Sequence, residues 1–204
     1  KPPNMGYFDE NKVNTENSAS TLKSLLKGHC NISKSDLLTP DEPDKFYTDT
    51  ITGNINEDCG AVHPQVMASA VVAHGADAGI CLDGDADRLI MADENGSIID
   101  GDQILGCLAL AMQEKGTLSR NSVVGTVMSN RGLETMLGKA DIDLYRVAVG
   151  DRYILEKMRN DELNLGGEPS GHILMTDFAR SGDGLLTALQ MLTLLKGSTK
   201  KASM

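Results

Sequence analysis

The sequence predicts an α/β protein built as two successive α/β units with mainly parallel, mixed sheets. Three observations carry that prediction. Short apolar runs alternate with stretches of helical apolar spacing from Asn54 to Leu195, the pattern of strands exchanged with helices. The runs stop abruptly at glycine- and aspartate-rich turns, as strands do at the edge of a sheet. The preceding residues 1–52 are polar, rich in Asn, Ser, Thr, Asp and Pro, and set the regular part apart.

In chain order, the leucines Leu22, Leu25 and Leu26 are spaced for one or two helical turns, and Thr39-Pro40-Asp41-Glu42-Pro43-Asp44 reads as linker. Pro64 to His74 places Val66, Met67, Ala70 and Val71 at helical spacing, with Pro64 suited to a first turn. Ala78 to Leu82 reads as a buried strand. Arg88 to Ala92 and Ser97 to Ile99 flank Asn95-Gly96, a hairpin turn. Asp102 is a candidate cap for a helix through Gln103 to Gln113 that ends near Gly116. Beyond it, Val123–Met128 and Leu144–Val149 read as strands, as do the short runs Leu163–Gly166 and His172–Met175. Leu133–Leu137, Asp151–Arg159 and Gly184–Leu195 read as helices. The expected seam lies near Gly101, dividing residues 53–100 from 101–204.

Composition narrows the function classes. The 204 residues are 40% hydrophobic, enough for a core, but only 3% aromatic, so Leu, Ile, Val, Ala and Met must fill it. A net charge of −10 argues against a nucleic-acid partner, because phosphate backbones recruit Lys and Arg. No apolar run is long enough for a bilayer, so no membrane partner is expected. Cys30, Cys59, Cys81 and Cys107 are widely separated without metal spacing, a pattern read as cytoplasmic. Cys81 and Cys107 sit in apolar runs and are expected to be buried.

The string Asp83-Gly84-Asp85-Ala86-Asp87-Arg88 is the most informative. Three carboxylates alternate with two small residues after an apolar run. A hard cation such as Mg²⁺ takes oxygen ligands in a tight shell, and without one these charges repel. A solvated turn is the other reading. Arg88 either pairs with a carboxylate or forks onto a phosphate brought to the metal.

Gly166-Gly167-Glu168-Pro169-Ser170-Gly171-His172 is the second string. Its glycines allow close backbone approach, Pro169 stiffens the turn, and Glu168 with Ser170 supplies the acceptors and donor that adjacent ring hydroxyls need. His172 reads as a ligand, a proton shuttle or a structural histidine at a strand start. Gly150-Asp151-Arg152-Tyr153 lies at a strand-to-helix junction, where parallel sheets form their ligand crevice. Asp151 is equally a helix cap, and Arg152 a phosphate ligand or a surface residue. Ser129-Asn130-Arg131-Gly132 sits at another such junction. Gly182-Asp183-Gly184 opens the last helix, as an anion site or as an Asp cap.

In this order, together with Asp100-Gly101-Asp102-Gln103, the strings resemble the α-D-phosphohexomutase superfamily. Val124 to Asn130 and Arg152 to Met158 resemble its phosphoglucosamine mutase branch. The resemblance covers the second and third domains of that family, from about Gly53 to Leu195. It implies that Asp83, Asp85 and Asp87 hold Mg²⁺ and that Arg88 positions a phosphoserine. It implies that Glu168, Ser170, His172, Gly150, Asp151 and Arg152 line the cleft for a phosphorylated hexosamine. The family's activity interconverts the 6-phosphate and 1-phosphate through a bisphosphate.

No string here resembles the phosphoserine motif or the last, phosphate-clamping domain. The expectation is therefore a fragment, with little activity alone, whose partners include the missing domains. The alternatives are a phosphomannomutase/phosphoglucomutase relative, a non-catalytic Mg²⁺- and sugar-phosphate-binding remnant, and a phosphatase with an Asp nucleophile. The last wants Thr or Val where Asp87 stands.

Overall fold

Helix α1, Gln65–His74, begins the ordered succession of elements in the computed structural model, which describes residues 59–197 and 201–203. The expected helical turn at Leu22–Leu26, the linker at Thr39–Asp44 and Cys30 lie outside the described residues. All described residues fall within one compact unit, Thr48–Met204.

Helix α1 is apolar on nearly every face, so one side can be buried without a sharp stripe. It packs Ala68 and Val71 on Ala92 and leaves Val66 and Val72 exposed. Gly75 ends it in a left-handed conformation (φ 62°), with Ala76 N–H returning to Val71 O at 3.0 Å. Strands β1 (Ala78–Leu82), β2 (Leu89–Asp93) and β3 (Ile98–Ile99) form an antiparallel sheet in that order. The expected buried strand lies at the edge of this sheet among the described residues and is only half buried, with Gly79 and Cys81 turned in and Ile80 out. The turn at Asn95-Gly96 is present as a three-residue hairpin loop. Asp93 N–H and Ser97 O pair at 3.0 Å, Gly96 takes φ 79°, and Asp93 Oδ1 accepts from Asn95 and Ser97 N–H.

Helix α2 spans Gly101–Glu114. Its cap is Asp100 and not the expected Asp102. Asp100 and Gln103 are three residues apart, so each side chain bonds the other's backbone in a capping box. Asp102, one turn in, is buried. Cys107, expected inside, lies exposed on this helix, whereas Cys81 is buried.

The second sheet holds β4 (Ser122–Thr126), β5 (Asp143–Val147), β6 (Leu165–Gly167) and β7 (Ile173–Met175), in the order β5-β4-β6-β7. The first three are parallel and β7 is antiparallel to β6, a mixed and mainly parallel sheet. Helices α3 (Arg131–Lys139) and α4 (Asp151–Asn160) follow β4 and β5, and α5 (Gly184–Gly197) follows β7. One core joins both sheets: Leu89 and Met91 of β2 meet Ile104 and Leu105 of α2, Leu165 and Ile173 of the second sheet, and Met191 of α5. No helix among the described residues is long and apolar enough to cross a membrane.

Candidate functional site

The acidic string is the tip of a hairpin. Because Leu82 and Leu89 are paired partners, residues 83–88 form the whole loop between β1 and β2. Ala86 N–H donates to Asp83 O at 3.1 Å, and Arg88 N–H to Asp83 Oδ1 at 3.1 Å, which curls the loop on itself. The curl gathers one carboxylate oxygen each of Asp83, Asp85 and Asp87 within 4.8 Å of one another. Arg88 Nε stands 3.5 Å from Asp83 Oδ2 and 3.7 Å from Asp87 Oδ1, the ion-pair role. Its Nη groups make no hydrogen bond among the described residues.

Asp87 is the stressed member. Burial raises its carboxyl above the ordinary value, Asp83 and Asp85 push the same way, and His172 opposes them. Its Oδ1 is buried with no hydrogen-bond partner among the described residues. A buried carboxylate oxygen without a donor is costly, and a divalent cation held by Asp83, Asp85 and Asp87 would offset that cost. The residues present fit a hard, oxygen-seeking ion.

The Glu168 turn is built differently, by backbone hydrogen bonds. Glu168 N–H donates to His172 O and Gly171 N–H to Glu168 O, both at 3.0 Å. Two further bonds weld the turn to its surroundings: Leu89 N–H to Gly171 O at 3.0 Å, and Gly101 N–H to Pro169 O at 3.1 Å. Gly171 sits at φ 91°, where a Cβ would lie 2.1 Å from Leu89 O, so only glycine passes so close. Leu89 directly follows Arg88, so this weld places the Glu168 turn beside the acidic loop.

Among the other expected site residues, Gly150 N–H donates to Glu168 Oε1 at 2.8 Å, and Ser170 Oγ lies 3.4 Å from Glu168 Oε2. Glu168, Ser170 and Gly150 thus meet at the C-terminal edge of the parallel strands, where such sheets hold ligands. Asp151 and Arg152 stand exposed on the first turn of α4. The cap of that helix is Gly150, and Asp151 Oδ1 accepts from Arg152 N–H at 2.6 Å. Arg152 makes no side-chain bond among the described residues. His172 is buried, with Nδ1 3.1 Å from Asp87 Oδ2 and Nε2 without a partner among the described residues. It faces the acidic loop.

Sequence reasoning missed a supporting network at the end of β4. Asp102 Oδ2 accepts from Asn130 N–H at 2.6 Å, and Asn130 in turn caps α3 through Leu133 N–H. Burial raises the Asp102 carboxyl above its ordinary value. Arg146 of β5 donates to Thr126 O at 3.1 Å and Ser129 O at 2.6 Å. The Asp100–Gln103 spacing was the available signal: it marks Asp100 as the cap and frees Asp102 for another partner. Arg146 has no such local signature. A cavity of about 760 Å³ lined by Val127, Ser129, Arg131, Glu134, Thr135 and Arg146 lies at this turn; Ser129 and Arg131 belong to the second candidate junction, and none of the residues expected to hold the metal or the sugar lines it.

With this geometry in view, residues 100–204 match the family described as phosphoglucomutase/phosphomannomutase, alpha/beta/alpha domain III. A phosphoglucosamine mutase of Roseobacter denitrificans is 56% identical over 150 residues, covering 74% of this chain and 33% of that protein. One of Caulobacter vibrioides is 51% identical over 150 residues, covering 74% and 34%. The chain therefore spans about a third of the length of these curated relatives. Among solved structures, a phosphoglucomutase/phosphomannomutase family protein of Burkholderia thailandensis is similar with a TM-score of 0.62 at 25% identity, over 69% of this chain and 30% of that one. A Paramecium phosphoglucomutase shares the fold with a TM-score of 0.57 at 22% identity, over 69% and 25%. Since the family's third domain accounts for about half of the sequence, the chain belongs to the phosphoglucomutase/phosphomannomutase family.

Proposed function

We propose that this chain supplies the metal-binding and sugar-recognition part of a phosphoglucosamine mutase, interconverting glucosamine 6-phosphate and glucosamine 1-phosphate with Mg²⁺. The observation that carries the reading is the weld between the two loops. Leu89 N–H bonds Gly171 O, and His172 bonds Asp87, so a cation at the aspartates and a sugar at Glu168 share one site. The similarity to curated phosphoglucosamine mutases supports the choice of substrate class.

In this reading Asp83, Asp85 and Asp87 hold Mg²⁺, which supplies positive charge against a phosphoryl group in transfer. Arg88, engaged among the described residues through Nε, keeps its Nη fork for a phosphate oxygen. Glu168 and Ser170 accept from and donate to adjacent ring hydroxyls, and the Gly150–Arg152 turn forms the neighbouring wall. His172 steadies Asp87. Alignment and electrostatics, rather than proton chemistry by these residues, carry the contribution of this part of the protein.

The division near Gly101, with residues 53–100 carrying the metal and 101–204 the sugar, belongs to the same proposal, as does a cytoplasmic location. The start of the domain III match at residue 100 supports the former, and the scattered cysteines support the latter.

The test is calorimetric titration of the chain with Mg²⁺, then with glucosamine 6-phosphate, mannose 6-phosphate and glucose 6-phosphate at saturating Mg²⁺. Glucosamine 6-phosphate should bind best, and Glu168→Ala should weaken it tenfold or more. A preference for mannose 6-phosphate or glucose 6-phosphate would move the chain to the other branch of its family. Binding unchanged by Glu168→Ala would end the sugar assignment.

A further inference from the structure

The turn Gly182-Asp183-Gly184 opens α5, and Asp183 is its cap. Asp183 Oδ1 accepts from Leu186 N–H at 2.8 Å, and Asp183 O accepts from Thr187 N–H and Oγ1. The two glycines on either side serve another part of the molecule. Gly184 N–H, the first donor of the helix, is not free for an anion. It donates to Ala86 O at 2.8 Å, in the middle of the acidic loop. Ala86 stands at φ 58°, a left-handed conformation that an L-residue keeps only where its surroundings fix it. A Cβ on residue 184 would lie 2.6 Å from Arg88 O and 2.9 Å from Ala86 O. At Gly182, a Cβ would lie 2.4 to 2.8 Å from three atoms of the His172 ring. That ring is the one whose Nδ1 meets Asp87 Oδ2 at 3.1 Å.

We propose that Gly182 and Gly184 are positioning residues for the acidic loop. Gly184 pins the carbonyl between Asp85 and Asp87, and Gly182 leaves the space that lets His172 stand under Asp87. Together they set the carboxylates at the separation a small cation needs. The turn that opens α5, beginning twelve residues beyond Ser170 at Gly182, is thereby part of the metal site without touching the metal. This inference rests on the Mg²⁺ reading of residues 83–88.

The experiment is Mg²⁺ calorimetry on the chain and its variants, with Gly138→Ala as the control, since a Cβ there meets nothing within 4 Å. Gly182→Ala should weaken Mg²⁺ tenfold or more, and Gly138→Ala should leave it unchanged. In a His172→Ala background, itself weaker than the parent, the ring is gone, and Gly182→Ala should cost less than twofold. A general loss of structure would instead act equally in both backgrounds. The His172 ring ¹⁵N resonances, recorded without Mg²⁺, should shift in Gly182→Ala and stay in place in Gly138→Ala. If Gly182→Ala does not fold, His172→Ala/Gly182→Ala should still fold and bind Mg²⁺ as His172→Ala does. Equal losses in both backgrounds, or an unaffected Gly182→Ala beside a parent that binds Mg²⁺, would overturn the proposal alone. A parent chain that ignores Mg²⁺ would remove the metal reading together with it.

Discussion

The Glu168 turn and the acidic loop are neighbours across a single backbone hydrogen bond, Leu89 N–H to Gly171 O, yet different forces shape them. The Glu168 turn pairs Glu168 N–H and Gly171 N–H internally and the Gly171 and Pro169 carbonyls with β2 and α2, and Glu168 itself is fixed by Gly150 N–H. The acidic loop keeps three carboxylates close together, a buried oxygen without a donor, and a non-glycine residue at positive φ. One loop is finished by the chain alone; in the proposed reading the other is finished by a ligand. Binding sites gain when their rigid wall is preformed, because less ordering is then left to the ligand. A cation loop gains differently, since its repulsion makes the bound state the relaxed one.

The comparison breaks most sharply at Gly171. A Cβ there would fall 2.1 Å from Leu89 O, at a φ of 91° that L side chains rarely adopt. Gly171→Ala is expected to cost about 3 kcal/mol or more by urea unfolding, since both strain and a backbone clash enter. Ser170→Ala, next door and exposed, should stay within about 0.5 kcal/mol. Similar losses at the two positions would mean that the turn is not held by its backbone weld.

The second expected effect belongs to the acidic loop. Mg²⁺ at one hundred times its dissociation constant should stabilise the chain by about 2.7 kcal/mol, by mass action on the folded state. Asp85→Ala should abolish that gain. Without Mg²⁺ the same substitution should not destabilise, because it relieves repulsion and Asp85 is exposed. Thermal melts with and without Mg²⁺ read both arms. A loss of stability in metal-free Asp85→Ala would show that the loop is held together by its own contacts.

What the sequence showed and hid follows the same division. Periodicity located the helices and strands, because apolar spacing is a local property: β1 was placed at Ala78–Leu82 with its observed bounds, and α5 began at Gly184 as expected. The acidic loop was legible because alternating Asp residues declare their chemistry one residue at a time. Strand direction was not. Nothing local says that β1 and β2 are antiparallel, so the loop looked like a strand end when it is a hairpin tip. Side-chain destinations were also hidden. Asp102 reaches Asn130, and His172 reaches Asp87, across tens of residues of sequence, and only packing settles such pairs. Glycines whose Cβ would strike another segment, such as Gly101, Gly171, Gly182 and Gly184, look in the sequence like any other turn glycine.

A smaller effect sharpens the preformed side of the comparison. Glu168 Oε1 accepts the Gly150 N–H at 2.8 Å. Glu168→Ala leaves that donor without its partner and is expected to cost about 1 kcal/mol, whereas Glu168→Gln keeps an acceptor and should cost less than half of that. Denaturation measures the stability, and hydrogen exchange at Gly150 reports whether the bond itself has gone. Equal costs for Ala and Gln would detach the Gly150 turn from Glu168.

The smallest expected effect concerns Asp102, which does for Asn130 what Glu168 does for Gly150, but from a buried position. Burial raises its folded carboxyl above the ordinary value of 3.8. A raised carboxyl contributes stability that is fully present below its unfolded value and is lost as pH rises through the folded one. Asp102→Asn removes this titration, while its amide oxygen can still accept from Asn130. The stability of Asp102→Asn relative to the parent should therefore increase with pH above about 3.8 and level off past the raised folded value. Urea unfolding of both proteins across that range gives the difference directly, because titrations common to both cancel. A difference that does not change with pH would mean that the buried carboxylate is charged at no cost. Asp102 would then be as well satisfied as the Glu168 turn, and the contrast between finished and unfinished carboxylates would be confined to residues 83–88.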